Sequence, residues 1–309
     1  MKNTNAQPSS LGFLATLMAF TLWGCLTAYW NWLKDLDMFT VLSHRAIWLE
    51  VFVFVTLAIQ GRLHEISEIL EDRRTTARIA ISGIMIALNW LFFYYSVESG
   101  RVLEGSLGEY MSPLMTILLG RVVLREKLSW PQCIAVMLLC VAISNSIVTL
   151  GEVPWLPLAI GAPFALYGLF RRGVKAKPLP SLFIETATIL PLAIGYLMYR
   201  KGTGHMLFDG AEGSTLLFLL GSGIATGLPV LFFAYGAPRV KMTSVGIMQY
   251  LTPTLTLLFG VVLYSEPLST ESACTFALIW TGIVIYTLEN LRQRRRFEKN
   301  AHHAGQAHA

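Results

Sequence analysis

Apolar stretches separated by short polar or basic segments recur from end to end of this chain. Ten can be marked, near 11–32, 39–59, 77–97, 103–124, 130–149, 156–171, 180–199, 214–235, 243–264 and 271–290. A hydrocarbon core about 30 Å thick needs roughly 20 helical residues to cross it, and these stretches have that length or nearly so. The pattern therefore predicts an all-α polytopic membrane protein with ten transmembrane helices. The sixth stretch is the shortest, because Pro157 and Pro163 interrupt it and Arg171 and Arg172 end it.

The pattern is also duplicated. Residues 82–129 align without a gap onto 222–269, a shift of 140 that matches 17 of 48 positions, among them Tyr110/Tyr250, Pro113/Pro253, Gly120/Gly260 and Glu126/Glu266. Self-similarity inside apolar sequence points to a carrier with internal symmetry rather than to a soluble repeat array. Five spans per half is an odd number, so the second half must enter the membrane from the opposite side. The expected organisation is a cytoplasmic N-terminus (1–10), two inverted five-helix repeats (11–149 and 150–290), and a basic tail (291–309) expected to be disordered.

Basic residues give an independent orientation. With the N-terminus placed inside, cytoplasmic segments hold 18 Lys and Arg residues, while the opposite side holds only Lys34, Arg101, Arg200 and Lys201. Such a bias over short loops places both termini in the cytoplasm. The first span is too long for a signal peptide and is expected to be retained.

Composition narrows the function classes. The chain is 54% apolar and 14% charged, with a mean hydropathy of +0.55, whereas soluble domains carry charge on about a quarter of residues. The net charge of +5 is largely the topology signal just described, so no nucleic-acid partner is expected. Cys25, Cys133, Cys140 and Cys274 lack C-x-x-C spacing, and no nucleophile elbow, zinc motif or phosphate loop is present. Neither an enzyme, a metal site nor a cofactor is expected.

Candidate chemistry comes from polar groups inside the spans. A charged carboxylate there costs several kcal/mol to desolvate, so it must pair, protonate or work. Glu109 is such a group, and the repeat sets it opposite Gln249; each lies four residues before a proline, Pro113 and Pro253. A proline inside a helix frees the carbonyl one turn earlier, which makes these positions helix-break or hinge candidates beside two related half-sites. A pair with Arg45, Arg101 or Arg121 is the structural alternative for Glu109. Asn89 and Trp90 near mid-span, Tyr250 beside Gln249, Arg45 in the second span and Glu185 in the seventh complete the substrate-binding or coupling candidates. Trp23 and Tyr167 would add to an amphipathic wall, with core packing as the alternative. For Glu185 the alternative is a pair with Arg171 or Arg172. The face Ser112, Thr116, Gly120 and its copy Thr252, Thr256, Gly260 is expected to be a close-packing seam. Glu126 and Glu266 are expected to mark interfacial span ends.

Several motifs together carry a family resemblance: Ser43-His44-Arg45-Ala46-Ile47-Trp48, Asn89-Trp90-Leu91, Glu104-Gly105-Ser106-Leu107-Gly108, Tyr167-Gly168-Leu169-Phe170-Arg171, Ile184-Glu185-Thr186 and Gln249-Tyr250-Leu251-Thr252-Pro253. Over about residues 10–290 the chain resembles the RarD group of EamA-like transporters in the drug/metabolite transporter superfamily. The resemblance implies ten helices in two inverted repeats, a central cavity and secondary transport of small molecules, often outward. The chain departs from the group at Glu109 and Ser112, where an aromatic or apolar residue and an asparagine are usual. The functional expectation is a permease for small organic metabolites or drugs in the inner cell membrane, an exporter by alternating access, proton-linked or facilitative. Its partners would be a small-molecule solute, the lipid bilayer and protons, and a homodimer is compatible. An uptake carrier and a non-transporting scaffold or sensor are the alternatives.

Overall fold

The computed structural model describes residues 10–123, 125, 129–150, 153–171, 174–205, 208, 213–240 and 248–306. Among these residues the secondary structure is helical throughout: α1 (Ser10–Asn31), α2 (Met38–Ile59), α3 (His64–Glu71), α4 (Arg73–Glu98), α5 (Val102–Val122), α6 (Trp130–Leu150), α7 (Trp155–Arg171), α8 (Pro178–Gly202), α9 (Ser214–Gly236), a short 3-10 turn (Ala237–Arg239), α10 (Leu251–Val262) and α11 (Thr270–Gln306). Six of them, α1, α2, α4, α8, α9 and the Thr270–Glu289 part of α11, are long and apolar enough to cross a membrane. Trp130–Asn145 of α6 and the whole of α10 are apolar but shorter.

Local chemistry explains several boundaries. Asp37 precedes α2 and its carboxylate accepts from the Thr40 N–H at 2.8 Å; Asp72 does the same for α4 through the Arg74 N–H at 3.0 Å. Both occupy the orphan donors of a helix start. Pro178 opens α8, where a missing N–H costs nothing. The start of α5 is capped from a distance: Glu266, in the loop after α10, accepts from the N–H groups of Val102 and of Leu103, the latter at 2.9 Å. Glu266 thus does more than end a span. Glu266→Ala should cost about 1 kcal/mol of stability, the usual worth of a helix cap, read as a lower unfolding temperature in detergent. Its repeat mate Glu126 lies outside the described residues.

Two features differ from the sequence expectation. Helix α3 is eight residues long and amphipathic, too short and too polar to register as a span; its Ile66 and Ile69 pack with Ile79 and Ile184. The start of the ninth stretch, expected from 243, lies outside the described residues; Met248 is helical, Gln249 and Tyr250 form a turn, and α10 follows from Leu251. The tail expected to be disordered is helical to Gln306, continuous with α11. Residues 291–304 hold Arg, Lys, Gln, Glu and Ala without Gly or Pro, and such residues favour a helix once one has started.

Helix α3 is held down by charge. Glu65 takes bidentate hydrogen bonds from Arg62, at 3.0 and 2.9 Å, and an ion pair from Lys177 at the start of α8. The Arg62 guanidinium, with help from Lys177, holds the Glu65 carboxyl down from the ordinary 4.5 to about 2. A depressed carboxyl stabilises the fold above its unfolded pKa and loses that contribution as pH falls through its folded one. Docking of α3 is therefore expected to hold at neutral pH and to weaken between about 4.5 and about 2. Hydrogen exchange of the 64–71 amides should show this, and Glu65→Gln should show the loosened state at neutral pH.

The packing joins the two halves of the chain. α5 packs on α7 as α10 packs on α1, α4 on α7 as α9 on α1, and α4 on α8 as α9 on α2, while α2–α8, α5–α10 and α6–α11 pair across the halves. Exchanging α1, α2, α4, α5, α6 with α7, α8, α9, α10, α11 in order maps this set of contacts onto itself. α2 and α8 run antiparallel: Asp37 before α2 meets Arg200 near the end of α8 at 3.3 Å, and Glu65 beyond α2 meets Lys177 before α8.

The duplication reaches the backbone. Helices α5 and α10 end at Val122 and Val262, 140 residues apart, and the next N–H groups, of Val123 and Leu263, donate to Leu119 and Phe259, each at 2.8 Å. Two residues further, Arg125 and Ser265 both hold φ at +54°, the left-handed conformation that closes a helix C-terminus. The Ser82 and Ser222 hydroxyls donate back to Ile79 and Leu219, each at 2.7 Å. Next to them, Gly83 and Gly223 let two backbones touch. A Cβ on Gly83 would lie 2.6 Å from the Glu185 carbonyl oxygen of α8, and one on Gly223 would overlap the Trp48 carbonyl of α2.

Candidate functional site

The expected site residues do not converge on one cluster; they fall into three. The first lies where α5 crosses α10 beside α1. Glu109, on α5, reaches the Thr256 hydroxyl of α10, which in turn lies 3.1 Å from the Thr27 hydroxyl of α1. Its second carboxylate oxygen, Oε2, is buried with no hydrogen-bond partner. Around it the two copies are stitched together: Ser106 donates to the Pro253 carbonyl at 2.8 Å, Tyr110 and Thr254 share a 2.6 Å hydrogen bond, and Thr252 donates to the Phe20 carbonyl of α1 at 3.0 Å. Tyr250 packs at the edge of the core formed by α5, α6 and α11 and is hydrogen-bonded to Gln249 and Thr287. Gln249 is exposed two residues before α10, and no hydrogen bond joins it to Glu109 among the described residues.

The two prolines are not equivalent in this structure. Pro113 lies inside α5, whereas Pro253 is the third residue of α10, where its missing N–H has no intrahelical partner to lose. Pro113 can open the carbonyl ladder of its helix. Pro253 instead offers its own carbonyl to Ser106.

The second cluster surrounds Arg45 of α2, which is 4% exposed. Its guanidinium carbon lies 4.7 Å from the centroid of the Trp30 ring of α1 and 4.2 Å from that of Trp90 on α4. Arg45 Nε has no hydrogen-bond partner, and neither has the indole Nε1 of Trp48, one turn further on. The neighbouring His44 stacks on Phe208, ring centroids 4.9 Å apart. Asn89 turns away from this cluster and donates to the Ile160 carbonyl of α7 at 2.9 Å, in the turn before Pro163. Trp23 packs on Phe20 and Phe233. Trp23 also packs against the cluster that holds Trp30, while Tyr167 is hydrogen-bonded to Glu185.

The third cluster is an ion pair in which Arg171 Nη1 is buried and makes no hydrogen bond. Glu185 accepts from Ser82 at 3.0 Å, lies 3.6 Å from Arg171, and is hydrogen-bonded to Tyr167. This is the structural alternative expected for Glu185. Arg101, a proposed partner of Glu109, instead pairs with Glu104 at 2.5 Å.

Trp30, Thr27 and Glu50 are not among the site candidates read from the sequence, and Thr256 reads there only as part of a close-packing seam. Glu50 is buried, its Oε2 is unpartnered, and its one hydrogen bond goes to Thr186 of α8. A carboxylate six residues into a largely apolar run after His44 was a readable signal for it; the threonines look like ordinary packing residues.

These clusters can be set beside known proteins. The EamA-like transporter family matches residues 10–147 and again 153–288, once in each half. The chain belongs to the EamA-like transporter family. Among its relatives, an uncharacterized transporter of Bacillus subtilis (strain 168), YojE, is 35% identical over 288 residues, 92% of this chain and 96% of that protein. Protein RarD of Escherichia coli (strain K12) is 31% identical over 298 residues, 96% of this chain and all of that one. A solved structure 19% identical covers 91% of this chain and 99% of its own with a TM-score of 0.56, a likeness of fold. As an EamA-like protein with six membrane-capable helices, the chain is a multi-pass membrane protein.

Proposed function

We propose that this EamA-like protein is a secondary carrier of the drug/metabolite transporter superfamily that exports a small organic solute by alternating access. The observation that carries the reading is Glu109. Its buried carboxylate has an unpartnered oxygen at the crossing of two helices from opposite halves, beside hydroxyls of α1 and α10. A group so costly to hold in a membrane interior is a functional candidate by default, and inverted-repeat carriers bind their cargo between repeats. Thr27, Ser106, Tyr110, Tyr250 and Thr256 would supply neutral donors and acceptors around it, with Gln249 at its edge and Pro113 as the helix break. Trp90 and Arg45 would form a second wall. Proton linkage would run through Glu109.

The two halves would lie in opposite orientations, which the closed contact exchange and the antiparallel run of α2 and α8 support. Both termini would be cytoplasmic in the inner membrane, as the distribution of basic loops supports. The Glu65–Lys177 and Glu185–Arg171 pairs would then sit on the cytoplasmic side, and Asp37–Arg200 on the other. The test compares medium and cell solutes by mass spectrometry in cells carrying the wild type, Glu109→Gln or no carrier. A solute that accumulates outside only with the wild type is the expected result; selective depletion from the medium would reverse the direction, and no difference with inserted protein would leave a scaffold or sensor.

A further inference from the structure

Among the described residues Arg45 is a buried cation without a counter-ion. A guanidinium stays protonated under all ordinary conditions, and placing one inside a membrane protein without an anion is strongly unfavourable. The described residues supply none. The two carboxylates that share its interior engage elsewhere, Glu50 with Thr186 on α8 and Glu109 with Thr256 on α10. Glu50 is five residues from Arg45, so the two point roughly 140° apart around α2. The Trp30 and Trp90 rings attract the cation, yet a π face gives the in-plane N–H fork nothing to bond.

We propose that Arg45 is the anion subsite of the carrier and that the transported solute bears a carboxylate. Two aromatic rings hold the guanidinium by contact while leaving Nε–H unpartnered. A carboxylate is planar and can accept two parallel N–H bonds from Arg, which no neutral group does as well. The unpartnered Trp48 indole N–H, one turn along the same helix, is a second donor for the same anion. The arrangement resembles a lock missing one charge, and the cargo supplies it. The inference rests on the carrier reading and narrows its substrate class.

The test uses purified full-length protein in liposomes loaded with a defined mixture: amino acids, hydroxy acids and aromatic acids as carboxylates; sugars and nucleosides as neutral solutes; polyamines and choline as cations. Release is followed by mass spectrometry for the wild type, Arg45→Gln and Arg45→Lys, each first shown to be monodisperse. The expected result is release of one or more carboxylates by the wild type, slowed at least about tenfold by Arg45→Gln, with Arg45→Lys in between because lysine keeps the charge but not the fork. Release of neutral or cationic solutes alone, or carboxylate release unaffected by Arg45→Gln, overturns the substrate class and leaves the carrier. Absence of any release overturns both.

Discussion

Glu109→Gln is expected to cut solute flux at least about tenfold, equivalent to about 1.4 kcal/mol of lost interaction, and to flatten the dependence of flux on pH, while leaving the protein as stable as before or more so. The stability half follows from the geometry. Oε2 of Glu109 has no partner, so the glutamine removes a costly buried charge and breaks no ion pair, and its amide can still bond Thr256. Flux and pH response fall because the replaced group can no longer gain or lose a proton or carry charge to a solute. The contrast is Glu185→Gln, which strands Arg171 and weakens a network that includes Ser82; there the loss should appear in stability first. Flux in liposomes at several pH values, with an unfolding curve for each variant, separates the two outcomes.

Gly223→Ala is expected to destabilise the fold by about 3 kcal/mol or more, the upper range for forcing an extra carbon into a packed core. Its Cβ would overlap the backbone carbonyl of Trp48, and a backbone cannot rotate away as a flexible side chain can. α9 would have to move off α2, disturbing the helix that carries Arg45 and Glu50. For a chain of this size the unfolding temperature should fall by roughly 5 °C. Gly195→Ala in α8 is the control: nothing lies within 4 Å of its Cβ, so the helix should gain up to about 1 kcal/mol. The pair of measurements distinguishes close helix contact from a general dislike of alanine.

Much of the fold was legible because hydropathy at spanning length is a strong signal. The helix positions and the duplication follow from residues that could be read directly. Helix α3 was not, since HEISEILE is one short amphipathic turn pair with a polar face. The helical tail was missed because its charge suggested solvation, whereas its residue types are good helix formers attached to an existing helix.

The site was legible only in part, for a related reason. Glu109 stands out as a carboxylate in an apolar run, and the 140-residue shift gives it a mate. That shift covers 82–129 and 222–269 alone, so it says nothing about α1 or α2 against α8. Trp30 meeting Arg45 and Thr27 meeting Thr256 are contacts between segments far apart in sequence, and no periodicity reports them. The expectation that Gln249 mirrors Glu109 in space fails at the local level: Gln249 lies exposed before α10, while Glu109 is about two turns inside α5.

The central claim is that the cluster around Glu109 opens to the two sides of the membrane in turn. The direct test places one cysteine at Ser106, beside Glu109 and bonded to the Pro253 carbonyl, after replacing Cys25, Cys133, Cys140 and Cys274. A membrane-impermeant thiol reagent is then applied to oriented vesicles from either face. The account predicts labelling from both faces, with no open channel between them to a larger impermeant probe; labelling from one face alone, or from neither, would contradict it.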